Sequence, residues 1–376
     1  MLIAIVRSSF HSGSGQAIHI SELSKNLIAL GHKVAIVSRQ VELEPKETPI
    51  QELGFAGDKI PFLRNFVFPF RCLSFLKPFD IIHTQYHPDI FVGNMAKKTL
   101  KKPHVFTYHG FAPVRIWNNP KQKLKMIDHR IGTFCALRAG VDHIITVSHF
   151  LKRELIDNYM LNDDVIDVIY NGIDVETFNP NINGDEVRQR YKLKDHPVIL
   201  FLGRLAPYKG VQFLLSAAPL VLREIPNAKF LIGGAMRHDI LDVAGIARKL
   251  NIENSVVFTG FVPGELIPKL YACCDVFCYP SLWEGFGLTP GEAQASGKPV
   301  VAFKTCALPE VVANERTGLL VEPENHAQIA DAIISLLKDE KLRRKMGFEA
   351  RQRVLRLFSW EKTAKQTIEV YEEALS

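Results

Sequence analysis

Short runs of β-branched and aliphatic residues alternate with amphipathic stretches along almost the whole chain, and the alternation comes in two rounds. The first comprises "LIAIV" at 2–6 followed by a helix-like 16–30, then "KVAIVS", "DIIHTQ", "PHVFTYHG", "DHIITVS" before the helical "HFLKRELIDNY", and "DVIYNG". Strands apolar on both faces and separated by helical patterns belong to parallel sheets covered on each side, the βαβ arrangement. A second round follows: "PVILFLG", "AKFLIGG", "SVVFTG", "DVFCYPS", "PVVAF" and "TGLLVEP", with helical patterns at 210–223 and 239–250 between them. At 376 residues the chain exceeds the about 250–300 at which a single core stops growing, so two domains are expected. The Asn-, Gly- and Asp-rich stretch 171–196 reads as their linker. The expected organisation is α/β: a Rossmann-like domain over 1–175, a second over 176–360, and an amphipathic helix over 361–376 that packs back on the first. Tandem domains of this kind leave a cleft, and the C-terminal ends of both sheets can face it.

Composition narrows the function classes. With 47% hydrophobic and 23% charged residues the chain is globular rather than disordered or fibrous. No apolar run is long enough to span a bilayer, and Pro219 is expected to interrupt the longest candidate, "VQFLLSAAPLVL". The start, "MLIAIVRSSF", lacks a basic n-region and reads as an opening buried strand, so a cytoplasmic location is expected. Cys72, Cys135, Cys273, Cys274, Cys278 and Cys306 show neither a disulfide framework nor paired zinc spacing, and are expected to be free and mostly buried. The charge is uneven: residues 1–138 carry 19 Lys and Arg against 9 Asp and Glu, whereas the whole chain is only +6.

Several motifs sit where such sheets bind ligands. Gly13 and Gly15 in "SSFHSGSGQAIHI" open a helix after a strand, where amide groups and the helix dipole can meet an anion. The dinucleotide fingerprint is incomplete, since Ile18 takes its third glycine position and Ser38 and Arg39 stand where an acidic residue would hold a ribose. Arg204 and Lys209 in "FLGRLAPYKGV" flank a turn at a strand's C-terminal edge, which suits a diphosphate, although an isolated Arg/Lys pair is more often two solvated surface cations. "SLWEGFGLTPGEAQASGKPVV" places Glu284 and Glu292 eight residues apart. Its "TPGE" reads as a capping box with Thr289 at N-cap, Pro290 at N1 and Glu292 at N3. The preceding "WEGFG" has no such explanation, and its glycines let backbone approach a ligand.

His109 ends a strand of the first domain; a lone histidine is more often a satisfied core or surface residue than a catalyst, and this strand-end position adds weight to the functional reading. Asn171 and Gly172 read first as a turn. Residues 97–130 hold nine Lys and Arg against the single Asp128, with Leu124, Ile127, Ile131 and Phe134 on one helical face and a Phe-rich stretch, "PFLRNFVFPFRCLSFLKPF", upstream. That pattern is either a solvated basic face or a surface that docks on anionic lipid.

Taken in order, "GHKVAIVS", "DHIITVS", "YNGIDVETF", "GRLAPYKG", "FTGFVPGELIPKLYACCDVFCYPSLWEGFGLTPGEAQASGKPVV", "LPEVV", "TGLLVEP" and "FSWEK" resemble retaining glycosyltransferases of family 4, the glycosyl transferases of group 1. The resemblance spans nearly the whole chain and is densest over 198–322. It implies the GT-B fold, two Rossmann-like domains with an interdomain cleft. It implies also that Arg204 and Lys209 grip the donor diphosphate, that Glu284 lies near the transferred sugar, and that Glu292 bonds the nucleotide ribose. By the same resemblance the backbone at Gly287 and Leu288 contacts donor sugar or phosphate, Gly15 belongs to the loop closing on the phosphates, and His109 lies near the reacting face of the sugar. The chain departs from the family at "TCALPE", where Cys306, Ala307 and Leu308 replace a glycine-rich turn, and at "EAQASG" in place of "EAMACG".

The implied reaction is transfer of a sugar from a nucleotide-diphosphate sugar to an acceptor hydroxyl, lipid-linked, polysaccharide or other. Cations and helix N-termini can stabilise the leaving diphosphate without metal, and no Asp-x-Asp motif ends a strand. No covalent nucleophile is assigned and no cofactor is expected beyond the nucleotide-sugar substrate. Nucleic acid is not an expected partner; an anionic membrane contacted through 97–130, at the inner face, is. The competing readings are a GT-B nucleotide-sugar epimerase or hydrolase, a dehydrogenase, and a non-catalytic sugar-nucleotide binding protein. The loop from Gly233 to His238 and "TGFVPGEL" are expected to border the base.

Overall fold

The computed structural model describes residues 1–10, 15–41, 48–53, 61–117, 119–235 and 241–376, and for residues 9, 10, 40, 41 and 61–66 the backbone only. Gly13 and the end of the Gly233–His238 loop therefore lie outside the described residues. The chain divides into two compact units, Met1–Gly172 with Trp360–Ser376, and Ile173–Ser359.

In the first unit, strands β1 (Leu2–Phe10), β2 (Lys33–Val41), β3 (Ile50–Glu52), β4 (Ile81–Thr84), β5 (His104–Tyr108), β6 (His143–Thr146) and β7 (Ile166–Val168) form one sheet in the order β3-β2-β1-β4-β5-β6-β7. All the pairings are parallel. Between them run α1 (Gly15–Ala29), α2 (Pro61–Leu76), α3 (Ile90–Leu100), α4 (Pro120–Arg138) and α5 (His149–Tyr159). Strand β1 shows why its sequence is apolar without a break. Ile3 and Ile5 join a cluster with Ile20, Leu23 and Leu27 of α1 and with Ala364 and Tyr371 near the C-terminus. The intervening Ala4 and Val6 join another with Phe68 and Cys72 of α2 and Val92 of α3. Alternate side chains thus fill opposite layers, and burying each isoleucine contributes roughly 1.5–3 kcal/mol.

The second unit contains α6 (Asp185–Arg190), β8 (Val198–Leu202), α7 (Val211–Glu224), β9 (Lys229–Gly233), α8 (Val243–Lys249), β10 (Val256–Gly260), α9 (Ile267–Cys273), β11 (Val276–Tyr279), α10 (Leu288–Ala295), β12 (Val300–Phe303), α11 (Leu308–Val311), β13 (Gly318–Val321), α12 (His326–Lys338) and α13 (Glu340–Leu357). Its sheet runs β10-β9-β8-β11-β12-β13, again parallel. Helix α14 (Trp360–Leu375) belongs to the first unit. In each sheet the strand order reverses once, between β1 and β4 and between β8 and β11, and such switch points open the ligand crevice of doubly wound sheets.

Two sequence expectations change. The stretch 171–196 is not a loose linker: the chain passes to the second unit after Gly172, and Ile173, Val187 and Leu193 are buried there, Val187 on the short α6. Pro219 does not interrupt its apolar run, which forms α7 throughout; still, no described helix is long and apolar enough to cross a membrane. The Phe-rich stretch becomes α2, with Phe68 and Cys72 in the core. All six cysteines are free, and Cys72, Cys273, Cys274 and Cys278 are buried.

Candidate functional site

The switch point of the second sheet gathers most of the residues singled out above. Beyond β8 the chain makes a single 3₁₀ turn, Pro207–Lys209, closed by Gly210 at φ 79°. A Cβ at 210 would collide with the carbonyl oxygen of Pro280, so only glycine lets this turn seat against the exit of β11. That seating brings the Lys209 ammonium 2.5 Å from Glu284 Oε1 and within 2.9 Å of the Tyr279 hydroxyl, to which it donates. Tyr279 in turn donates to Glu284 Oε1 at 2.9 Å, and the Ser281 hydroxyl lies 2.9 Å from the same oxygen.

Both members of this ion pair are largely buried, with side-chain exposures of 13% for Lys209 and 10% for Glu284. Burial works against the lysine's charge, but Glu284, Tyr279 and Tyr208 outweigh it and hold its pKa above the ordinary value. Burial, reinforced by Glu284, likewise raises Tyr279, which therefore stays a neutral donor. The ammonium also lies 5.2 Å from the Tyr208 ring and 5.5 Å from the Tyr279 ring, within cation–π range. Arg204 is exposed in the same connection between β8 and α7, its guanidinium 5.7 Å from the Tyr208 ring.

The expected capping box is not formed. Gly287, left-handed at φ 115°, takes the N-cap position without a side-chain bond, and α10 begins at Leu288. Thr289 and Pro290 accordingly fall inside the first turn, where a missing proline N–H costs nothing. The first-turn amides around Leu288 are left to face an anion at the positive end of the helix. Glu292 lies a turn further on, 8% exposed, where Oε2 accepts from the Tyr271 hydroxyl at 2.8 Å. Burial raises its pKa to about 7; the Tyr271 bond opposes the shift and the Asp174 carboxylate adds to it. The paired glutamates thus have separate partners, Lys209 for one and Tyr271 for the other. At "TCALPE", Cys306 is itself left-handed at φ 51°, the conformation that glycine adopts without strain, and the Ala307 amide donates to the Glu284 carbonyl.

His109 sits in the first unit, just past β5, in a chain of buried polar groups. Its Nε2 is 2.9 Å from Gln85 Oε1, and Gln85 Nε2 is 3.1 Å from His83 Nε2. An amide NH₂ can only donate, so His83 accepts through Nε2 and its proton sits on Nδ1, 2.6 Å from the Tyr371 hydroxyl. His109 then donates through Nε2–H to Gln85, leaving Nδ1 as its acceptor. Burial, with His19, Arg7 and His83 adding positive potential, pushes the His109 pKa well down. His19 stacks edge-on at 4.8 Å between centroids, and its Nδ1 is 2.7 Å from Asn171 Oδ1. Its own pKa is lowered by burial to about 4, against the raising effect of that bond. These imidazoles are therefore neutral at pH 7. Gly15 is the exposed first residue of α1.

Sequence reasoning found Lys209, Glu284 and Glu292 but not the side chains that hold them. Tyr279 and Ser281 lie in "DVFCYPS", at the carboxyl end of β11, where any polar residue could have been flagged as ligand-facing. Gln85 holds the same position after β4. Tyr271 and His19 give no signal beyond helical periodicity. The turn residue Asn171 is buried and anchors His19.

Comparison with known proteins matches residues 183–353 to the family described as glycosyl transferases group 1 and residues 13–177 to that described as glycosyltransferase family 4. An uncharacterized glycosyltransferase of Methanocaldococcus jannaschii is 30% identical over 96% of this chain and 95% of its own. A D-inositol 3-phosphate glycosyltransferase of Corynebacterium efficiens is 31% identical over 88% of this chain and 78% of its own. Among solved structures, Anabaena HepE in complex with UDP-glucose superposes with a TM-score of 0.84 at 21% identity, over 99% of this chain and all of the other.

Proposed function

Since the chain belongs to the group 1, family 4 glycosyltransferases of GT-B fold, we propose that it transfers a sugar from a nucleotide-diphosphate sugar to an acceptor hydroxyl, retaining the anomeric configuration and using protein cations rather than a metal at the diphosphate. The observation that supports this best is the Lys209–Glu284 pair at the switch point between β8 and β11. A lysine held charged in a low-dielectric site is suited to the charge that develops on a leaving diphosphate. Arg204 adds a fork-shaped donor in the same connection, and the amides at Gly287 and Leu288 offer further donors. Glu284 acts beside the sugar, Glu292 holds the ribose, and His109, neutral, offers a lone pair to a sugar hydroxyl. The acceptor is lipid-linked, a polysaccharide or another hydroxyl compound.

UDP is the first nucleotide to try, because the Anabaena neighbour was solved with UDP-glucose. At a hundredfold excess over Kd, binding stabilises the fold by about 2.7 kcal/mol, a readily measured thermal shift. UDP, GDP, ADP and their glucose conjugates, tested without added metal, are expected to give one clear responder. A folded protein that responds to none of them counts against the donor site.

The surface of α4 supports a membrane-associated acceptor. Met126, His129, Thr133, Ala136 and Leu137 face inward, while Leu124, Ile127 and Ile131 on the opposite face are 69%, 41% and 59% exposed. Lys121, Lys123 and Lys125 flank them, giving an apolar stripe edged with cations, as in helices that lie in a lipid interface. Vesicles containing phosphatidylserine are expected to sediment the protein, and Leu124→Asp with Ile131→Asp to release at least about 90% of it, each charge opposing interfacial insertion. Equal sedimentation with neutral vesicles sinks this reading.

A further inference from the structure

The segment after β4 and the inner side of α4 bring together ligating side chains that the proposed reaction does not use. At about 100° per residue, Gly132 falls between Asp128 and His129 on the surface of α4. A Cβ on Gly132 would collide with the His87 imidazole, so the bare glycine forms a notch that the ring occupies, with Asp128 to one side and His129 to the other. One ligating atom from each of His87, Asp128 and His129 lies within 4.8 Å of the other two.

Two further observations point to a ligand. His87 is only 7% exposed, and Nε2 is its ring atom nearest Gly132 and so the one set between Asp128 and His129, while its Nδ1 is buried with no hydrogen-bond partner, so no protein contact fixes the ring against turning a nitrogen to an ion. His129, also 7% exposed, stands against His87 at 5.1 Å between centroids, and its Nδ1 lies 2.8 Å from the Tyr86 hydroxyl. In the tautomer whose Nδ1–H donates to Tyr86, His129 presents its lone pair on Nε2, the orientation that outer partners give metal-bound histidines.

We propose that His87, Asp128 and His129 bind a divalent transition-metal ion of the zinc type. Two imidazoles and a carboxylate are borderline donors that suit Zn²⁺, and also Co²⁺ or Ni²⁺, better than the oxygen-seeking Mg²⁺ or Ca²⁺. Metal–ligand bonds of about 2.0–2.2 Å place tetrahedral ligands roughly 3.3–3.6 Å apart, so the three groups, already within 4.8 Å of one another, need close by no more than about 1.5 Å on binding. Asp128 is exposed and supplies that movement by changing rotamer. The ion ties α4 to the segment after β4, and Gln85, which holds His109, lies two residues before His87. Metal binding therefore stiffens the support of His109 without touching the diphosphate site.

Among the described residues a second group, His143, Asp167 and Glu373, satisfies the same distance condition, and its His143 Nδ1 also lacks a hydrogen bond, but its side chains are more open to water, 20% exposed for His143 and 41% for Asp167, with Glu373 exposed. It serves as the internal control. Chelator-treated protein is titrated with ZnCl₂ by calorimetry and with CoCl₂ by visible absorption. A single high-affinity ion per chain is expected, weakened at least about tenfold in Asp128→Asn and in His129→Gln, and unaffected in Glu373→Gln. Asp128 is exposed, so Asp128→Asn is expected to leave the unfolding temperature of the metal-free protein unchanged and to keep the test independent of folding. Any of three results overturns the proposal: no heat and no cobalt spectrum from the native protein, unchanged affinity in Asp128→Asn and His129→Gln, or loss in Glu373→Gln alone.

Discussion

Lys209→Met is expected to lose donor binding and to lower the unfolding free energy by about 3–5 kcal/mol, because it strands the Glu284 carboxylate in a largely buried site without its counter-charge. The two losses have different causes and can be separated. Adding Glu284→Gln removes the stranded charge while keeping an acceptor for Tyr279 and Ser281, and buried ion pairs replaced as a unit are often near neutral. The double variant is therefore expected to regain most of the stability lost by Lys209→Met. Donor affinity should not return, since the diphosphate still lacks its lysine; one charge-assisted bond at about 1.5–3 kcal/mol corresponds to a tenfold to hundredfold weaker Kd. Urea unfolding and nucleotide calorimetry on the four proteins of the cycle give both numbers. A double variant that binds donor as tightly as the native protein would make Lys209 a structural residue only.

The contrast between what the sequence reveals and what it hides follows from the range of the interactions. Buried parallel strands such as "VILFL" need apolar residues on both faces, so their signal is local and continuous. Strand β3, "IQE", is three residues at a sheet edge, held by β2 alone, and carries no comparable pattern. The capping box at Thr289 failed for a reason that local grammar cannot weigh: the left-handed Gly287 starts the helix earlier, and Glu292 is claimed by a tyrosine 21 residues upstream. Lys209 and Glu284 were legible as motif residues, yet their pairing spans 75 positions and depends on Gly210 seating on Pro280. His19 illustrates the limit, since its partner Asn171 is 152 residues away.

Glu292 should make both stability and donor binding depend on pH near neutrality. Its folded pKa of about 7 exceeds the ordinary 4.5 chiefly through burial, so between these values the native state holds a proton that the unfolded chain has released. The contribution is complete below about pH 4.5 and lost as pH rises through 7, a fall of about 3 kcal/mol for this group. Glu292→Gln cannot ionise, and its amide oxygen still accepts from Tyr271. Relative to the native protein, the variant should therefore gain about 3 kcal/mol in urea unfolding at pH 8 compared with pH 5. A difference that does not change with pH would mean that Glu292 ionises normally despite its burial. Ligand binding reads the same proton from the other side. Ribose hydroxyls that donate to this carboxylate favour its ionised form, so nucleotide affinity should rise as pH passes from 6 to 8, with proton release on binding that the Gln variant lacks. A rise that survives in Glu292→Gln would transfer the effect to the nucleotide's own phosphate and remove Glu292 from the ribose.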